Sequence, residues 1–115
     1  MKKILLKVGD IQIPAILNNT KTALDFERKL PFKVTCHDSG IDYCGKVARG
    51  RFDPGEYSLG WKNGDIMLCN GWFALLYDGE EKSKEYGQTM IIGHFDDINI
   101  VRNLPKTIQL TVSYE

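Results

Sequence analysis

Apolar and polar positions alternate in short runs along most of this chain, and pairs of turn-forming residues separate the runs. Ile4, Leu6 and Val8 alternate with Lys3, Leu5 and Lys7, and after Gly9-Asp10 the series resumes with Ile11, Ile13, Ala15 and Leu17. A period of two puts one set of side chains on one face of a strand. Gly first in a two-residue loop suits a type II′ hairpin. Pro14 has no N–H for a ladder and is expected at an edge or a bulge. Phe32, Val34 and Cys36 form a third strand, and Ile41 to Val47 a fourth, interrupted by Cys44-Gly45. Asn63-Gly64, Asn70-Gly71 and Asp78-Gly79 bracket two apolar runs, Ile66 to Cys69 and Trp72 to Tyr77. Both are too short for helices and read as a central hairpin covered on both faces. Thr89 to Phe95 is a further strand of this kind. In the last strand Ile108, Leu110, Val112 and Tyr114 face inward.

Two stretches change period. After Asn18-Asn19-Thr20, where Asn19 or Thr20 can cap, Ala23, Phe26 and Leu30 recur at helical spacing until Pro31. Asp96-Asp97 caps a turn carrying Ile98, Val101 and Leu104, ended by Pro105. Asp25, Glu27 and Arg28 read as a solvated helix face. Arg49 to Tyr57 reads as a surface loop and Glu80 to Gly87 as an exposed connection. About eight strands joined by short turns close most economically into a barrel, which leaves no unpaired edge. The expected fold is mainly β: one domain over residues 1–115, a closed eight-stranded antiparallel barrel with two short helices capping its ends, the first running Thr20 to Leu30. A small barrel is filled by its own side chains, so a ligand site belongs on the wall or at a mouth.

Composition narrows the function. Lys plus Arg and Asp plus Glu stand at 15 each, so nothing in the overall charge favours nucleic acid or an acidic membrane, although a local patch is compatible with that balance. No apolar run is long enough to span a bilayer, and the apolar stretch after Lys2-Lys3 is too short for an export signal. Cys36, Cys44 and Cys69 are odd in number and lack a Cys-x-x-Cys pair, which points to free thiols in a reducing cytoplasm.

The usual reaction chemistries find few residues. Cys36 and His37 are adjacent, so on a strand they point to opposite faces. His94 reads as a structural histidine after Gly93. Cys36, His37, Cys44 and Cys69 lack a zinc-site spacing. The glycines are spaced as hairpin turns rather than as a phosphate loop. Neither a metal nor a cofactor is expected.

The order of segments resembles the cyclophilin-like fold, and in particular the small, mostly uncharacterised prokaryotic cyclophilin-like domains. Val8-Gly9-Asp10 through Lys21-Thr22-Ala23-Leu24-Asp25-Phe26 is similar to the opening hairpin and the Lys-Thr-Ala-x-x-Phe helix of that fold. Leu30-Pro31-Phe32 matches the end of that helix, and Gly64-Asp65-Ile66 through Leu76-Tyr77 the Gly-Asp signature and its strand. Ile91-Ile92-Gly93-His94-Phe95 with Asn99-Ile100-Val101 matches the late strand and helical turn.

Cyclophilins proper lower an amide rotation barrier of roughly 20 kcal/mol. The resemblance implies an arginine donating to the prolyl nitrogen beside an apolar pocket. Aligned on Gly40, the chain has Cys36 or a neighbour in place of that arginine, Ile41 in place of Phe and Cys44 in place of Gln. Thr89 replaces the pocket histidine, and Lys84 lies near the tryptophan position. No arginine occurs between Arg28 and Arg49, so the third and fourth strands supply none. The expectation is a binding or interaction module without isomerase chemistry. Its candidate surface is Cys36, Ile41, Cys44, Phe73 and Thr89, and its expected ligand is a peptide or a small apolar molecule. The alternative is a divergent prolyl isomerase in which Arg49 or Arg51 swings in from its loop. A small-molecule enzyme using Cys36 or Cys44 is a remote third possibility.

Overall fold

The computed structural model describes residues 1–115. Eight strands close into an antiparallel barrel: β1 (Lys2–Val8), β2 (Ile11–Leu17), β3 (Phe32–Asp38), β4 (Asp42–Lys46), β6 (Asp65–Cys69), β7 (Trp72–Leu76), β9 (Ile91–Phe95) and β10 (Thr107–Tyr114). The order round the barrel is β1-β10-β3-β4-β7-β6-β9-β2. Two short strands, β5 (Ser58–Leu59) and β8 (Gln88–Thr89), pair separately outside it. The hairpin signals act where expected. Gly9 has φ +58° in the two-residue loop that sets Val8 opposite Ile11. Asn70 and Gly71 both have positive φ, as a type I′ turn requires, and they join β6 to β7. Pro14 lies where the pairing of β2 with β9 stops at Ala15, so its missing N–H breaks no ladder bond.

The interior is one apolar cluster to which every barrel strand contributes. Helix α1 (Lys21–Glu27) is capped by the Thr20 hydroxyl, which accepts from the Ala23 N–H at 3.1 Å. Its Phe26 stacks on Phe73 at 5.7 Å and meets Phe32 edge-on at 5.0 Å, sealing one end. Helix α2 (Ile98–Arg102), capped by Asp97, brings Val101 to the other end. There Tyr43 donates to the Leu104 carbonyl at 2.6 Å. No helix is long and apolar enough to cross a membrane.

Five local expectations change. The strand expected over Thr89 to Phe95 is divided at Met90, since Thr89 pairs with Ser58 in β8 outside the barrel and β9 begins at Ile91. The first helix stops at Glu27 rather than Leu30, because Lys29 and Leu30 donate three residues back in a tightened last turn. Tyr114 is 45% exposed rather than inward: it leaves the end of the barrel, and its hydroxyl donates to the Glu27 carbonyl. Gly45 does not end β4, because it sits where β4 crosses closest to β3 and a Cβ would stand 2.2 Å from the Thr35 carbonyl oxygen. The connection Glu80 to Gly87 is a 3-10 helix over Glu80–Tyr86 with Ser83 buried, and it anchors the outer layer described next.

Candidate functional site

Strand β7 is apolar on both faces, and each face has a separate partner. Phe73 and Leu75 join the barrel interior. Ala74 and Leu76 face outward and are covered by Trp61, with Ile41, Cys44, Met67 and Ile91 packed round them. Trp61 reaches this wall from the segment after β5, and four polar contacts fix it. Its backbone N–H donates to Ser83 Oγ at 3.0 Å, and the Ser83 hydroxyl lies within 3.1 Å of the Trp61 carbonyl. The indole Nε1–H donates to the Asp78 carbonyl at 2.9 Å, and the Thr89 hydroxyl donates to the Gly60 carbonyl at 2.9 Å. Gly60 makes the approach possible. Its φ is +73°, and a Cβ there would meet Ser83 Oγ at 2.4 Å.

Between this segment, the 3-10 helix and the Asn18–Thr20 corner lies the largest groove, of about 610 Å³. That volume falls within the range of small-molecule sites. Its apolar surface comes from Leu59, Trp61 and Ile91. Three of its carboxylates serve the backbone: Glu56 accepts from the Lys21 N–H, Asp65 from the Lys62 N–H and Glu80 from the Asn63 N–H. The other Asp65 oxygen faces His94 Nδ1 at 3.3 Å. The side-chain charges of Lys62, Lys84 and Glu81 have no ion-pair partner and stand round the rim. Because Gly60 donates to the Gly87 carbonyl, the N–H and C=O of Leu59 turn away from β8. The groove therefore combines an aromatic floor, free charges of both signs and an exposed strand edge.

The residues singled out from the sequence scatter across this architecture. Cys36 and Phe73 are fully buried inside the barrel, not on its wall. Ile41 and Cys44 share the outer wall and pack against the Trp61 cluster, and Cys44 also borders a separate cavity between β3 and β4. Thr89 is buried, and its hydroxyl holds the loop that carries Trp61. None of the five lines the groove. Arg49 and Arg51 line a separate crevice of about 50 Å³ with Tyr57, Leu68 and Cys69. The Arg51 segment is held there, its N–H donating to Asp25 and its carbonyl accepting from Thr22.

Two of the three thiols, Cys36 and Cys44, are poor nucleophiles. Burial, with smaller effects of Cys44 and Asp42, pushes the Cys36 thiol up to about 12. Burial and then the Asp42 carboxylate raise Cys44. A thiol held protonated is unreactive at neutral pH. No three His, Cys, Asp or Glu side chains converge as a metal-ligand set.

Sequence reasoning passed over Trp61, Lys62, Glu81 and Lys84 as parts of one site. One signal was present: a tryptophan between Gly60 and the Asn63-Gly64 turn is a large apolar side chain in a polar stretch, and such a residue needs a surface to cover.

A family model described as the cyclophilin-like family matches residues 6–113. No curated protein matches the chain. Among solved structures, the solution structure of a hypothetical protein from Archaeoglobus fulgidus superposes with a TM-score of 0.73 at 11% identity, covering 99% of this chain and 95% of that one. At that identity the likeness speaks for the fold.

Proposed function

Because the chain belongs to the cyclophilin-like family, we propose that it is a binding module of that fold that holds an extended peptide in the Trp61 groove without isomerising it. The observation that carries this reading is the composition of the groove, whose lining includes Trp61, Lys62, Lys84 and Glu81 but no arginine. A catalyst of prolyl rotation needs a rigid donor at the prolyl nitrogen, since withdrawing that lone pair from amide resonance lowers the barrier. Lys62 and Lys84 are exposed side chains without partners to fix them, and Arg49 and Arg51 line a different crevice. The free edge at Leu59 suits strand addition, which supplies affinity through main-chain hydrogen bonds. Trp61 and Leu59 offer an apolar platform for a side chain or a proline ring. The reading includes a reducing cytoplasmic setting, which three free cysteines support.

The test is exchange NMR on a short X-Pro peptide, with amide shifts of the protein followed in the same samples. Peptide binding that shifts the Leu59 to Lys62 amides, with cis/trans exchange no faster than in buffer, is the expected result. Faster exchange abolished by Arg49→Ala or Arg51→Ala would replace this reading with the divergent isomerase. Faster exchange that survives both substitutions would refute the assignment of the groove as a site without catalysis.

A further inference from the structure

A second cavity, bordered by β3, β4 and Trp72, carries an inference that does not depend on the preceding one. Strands β3 and β4 pair only at His37 with Cys44 and Asp38 with Tyr43. Beyond that point the two backbones are pressed together at Gly45, where a Cβ would stand 2.2 Å from the Thr35 oxygen and 2.8 Å from Val34 Cγ2. A cavity of about 520 Å³ opens on the outer face of this seam. Lys33, Thr35 and His37 alternate along one lip, Cys44 and Lys46 along the other, and Trp72 closes the far side from β7.

The charge here is one-sided in a chain whose totals balance. The lining holds two lysines and a histidine but no carboxylate. Neither Lys33 nor Lys46 has an acidic partner, the ion pairs of the chain being Lys21–Asp53, Lys29–Asp25 and His94–Asp65. Asp42, the next outward position on β4, is engaged by Ser39 and by Cys44. His37 meets Thr107 Oγ1 through Nδ1 at 3.1 Å, which leaves Nε2 unengaged. Trp72 is 40% exposed although large and aromatic, and the Lys46 ammonium lies 5.8 Å from its ring centroid. An anion bound by Lys46 therefore has a flat apolar surface beside it. Lysine is a point-charge donor suited to phosphate, and an indole face suits a planar ring.

We propose that this seam is a binding site for a mononucleotide. The phosphate would be received by Lys33 and Lys46 with His37 as a further donor, and the base would lie on Trp72; the Thr35 hydroxyl donates to Gln109 Oε1 at 2.8 Å and takes no part. The cavity volume is within the range of sites for ligands of that size.

The experiment is a two-dimensional ¹⁵N–¹H NMR titration of the intact chain with AMP, adenosine and inorganic phosphate in parallel. The expected result is that AMP shifts the Thr35, Gly45 and Lys46 amides and the Trp72 indole N–H, while adenosine and phosphate reach the same shifts only at much higher concentration. The Lys33→Gln/Lys46→Gln variant, altered only at exposed side chains, should keep a folded spectrum and bind AMP about tenfold more weakly after losing two charge-assisted contacts. Four results would overturn the proposal: no shifts up to about 10 mM AMP, the upper end of useful affinities; shifts centred on Lys62 and Lys84 or on Arg49 and Arg51; unchanged AMP affinity in the double variant; or phosphate alone binding as tightly as AMP, which would leave Trp72 without a part.

Discussion

Replacing Trp61 with alanine tests the outer layer most directly. The ring covers Ala74 and Leu76, with Ile41, Cys44, Met67 and Ile91 around it, and is itself only 8% exposed. Removing a buried tryptophan costs about 3–5 kcal/mol. The lower end applies here, because the site borders an open groove and water can fill the space left behind. The indole bond to the Asp78 carbonyl is lost as well, at about 1 kcal/mol net. The total is about 4 kcal/mol. At about 2.1 cal/mol/K per residue the unfolding entropy of this chain is about 0.24 kcal/mol/K, so the midpoint should fall by roughly 17 °C. Urea unfolding followed by circular dichroism measures the free energy, and a thermal scan the midpoint. Trp61→Phe keeps an aromatic cover but leaves the Asp78 carbonyl without its donor, and should lie between the alanine variant and the native chain. A loss under about 1 kcal/mol for Trp61→Ala would mean that the wall is not held by this side chain, and the groove as described would not be a formed feature.

Three further outcomes follow from the same structure. Gly93→Ala places a Cβ 2.3 Å from the Ile16 carbonyl oxygen inside the β2–β9 ladder, where only backbone can move; a loss of about 3 kcal/mol or more, or failure to fold, is expected in the same denaturation assay, and near-native stability would contradict the register. The Cys36 thiol, held protonated by burial, should resist alkylation in the native protein at neutral pH; because its pKa is about 12 when folded against 9.0 for an ordinary thiol, its contribution to stability is intact below pH 9 and is lost as pH rises from 9 toward 12, with Tyr77, also raised chiefly by burial, adding to the loss, so denaturation that grew easier between pH 6 and 8 through this group would refute the assignment. Intact mass without reductant should correspond to three thiols, and a loss of two hydrogens within one chain would argue against a reducing compartment.

What could be read in advance was local. Strand positions followed from alternation, and hairpins from Gly9-Asp10 and Asn70-Gly71, because the twist of a two-residue loop depends only on the residues in it. Thr20 and Asp97 announced their helices for the same reason. Alternation also put Cys36 on the same face as Val34, and that face proved to be the interior; aligning the chain on a relative's pocket had placed it on the wall. For β7 the pattern carried no such information. Trp72 to Leu76 is apolar at every position, so nothing in it tells whether Phe73 or Ala74 looks inward.

The sequence by itself determined that this chain is a barrel of short strands with two capped helices, since turn chemistry and side-chain period act over a few residues. Tertiary structure alone decided which residues come together round the two grooves. The Trp61 groove joins the Asn18–Thr20 corner, the segment round β5 and the 3-10 helix, and the basic seam joins β3, β4 and β7. Neither grouping exists until the barrel closes and fixes which strands are neighbours. The same closure turns Lys33, His37, Lys46 and Trp72, scattered along a chain of no net charge, into one basic face beside an exposed ring.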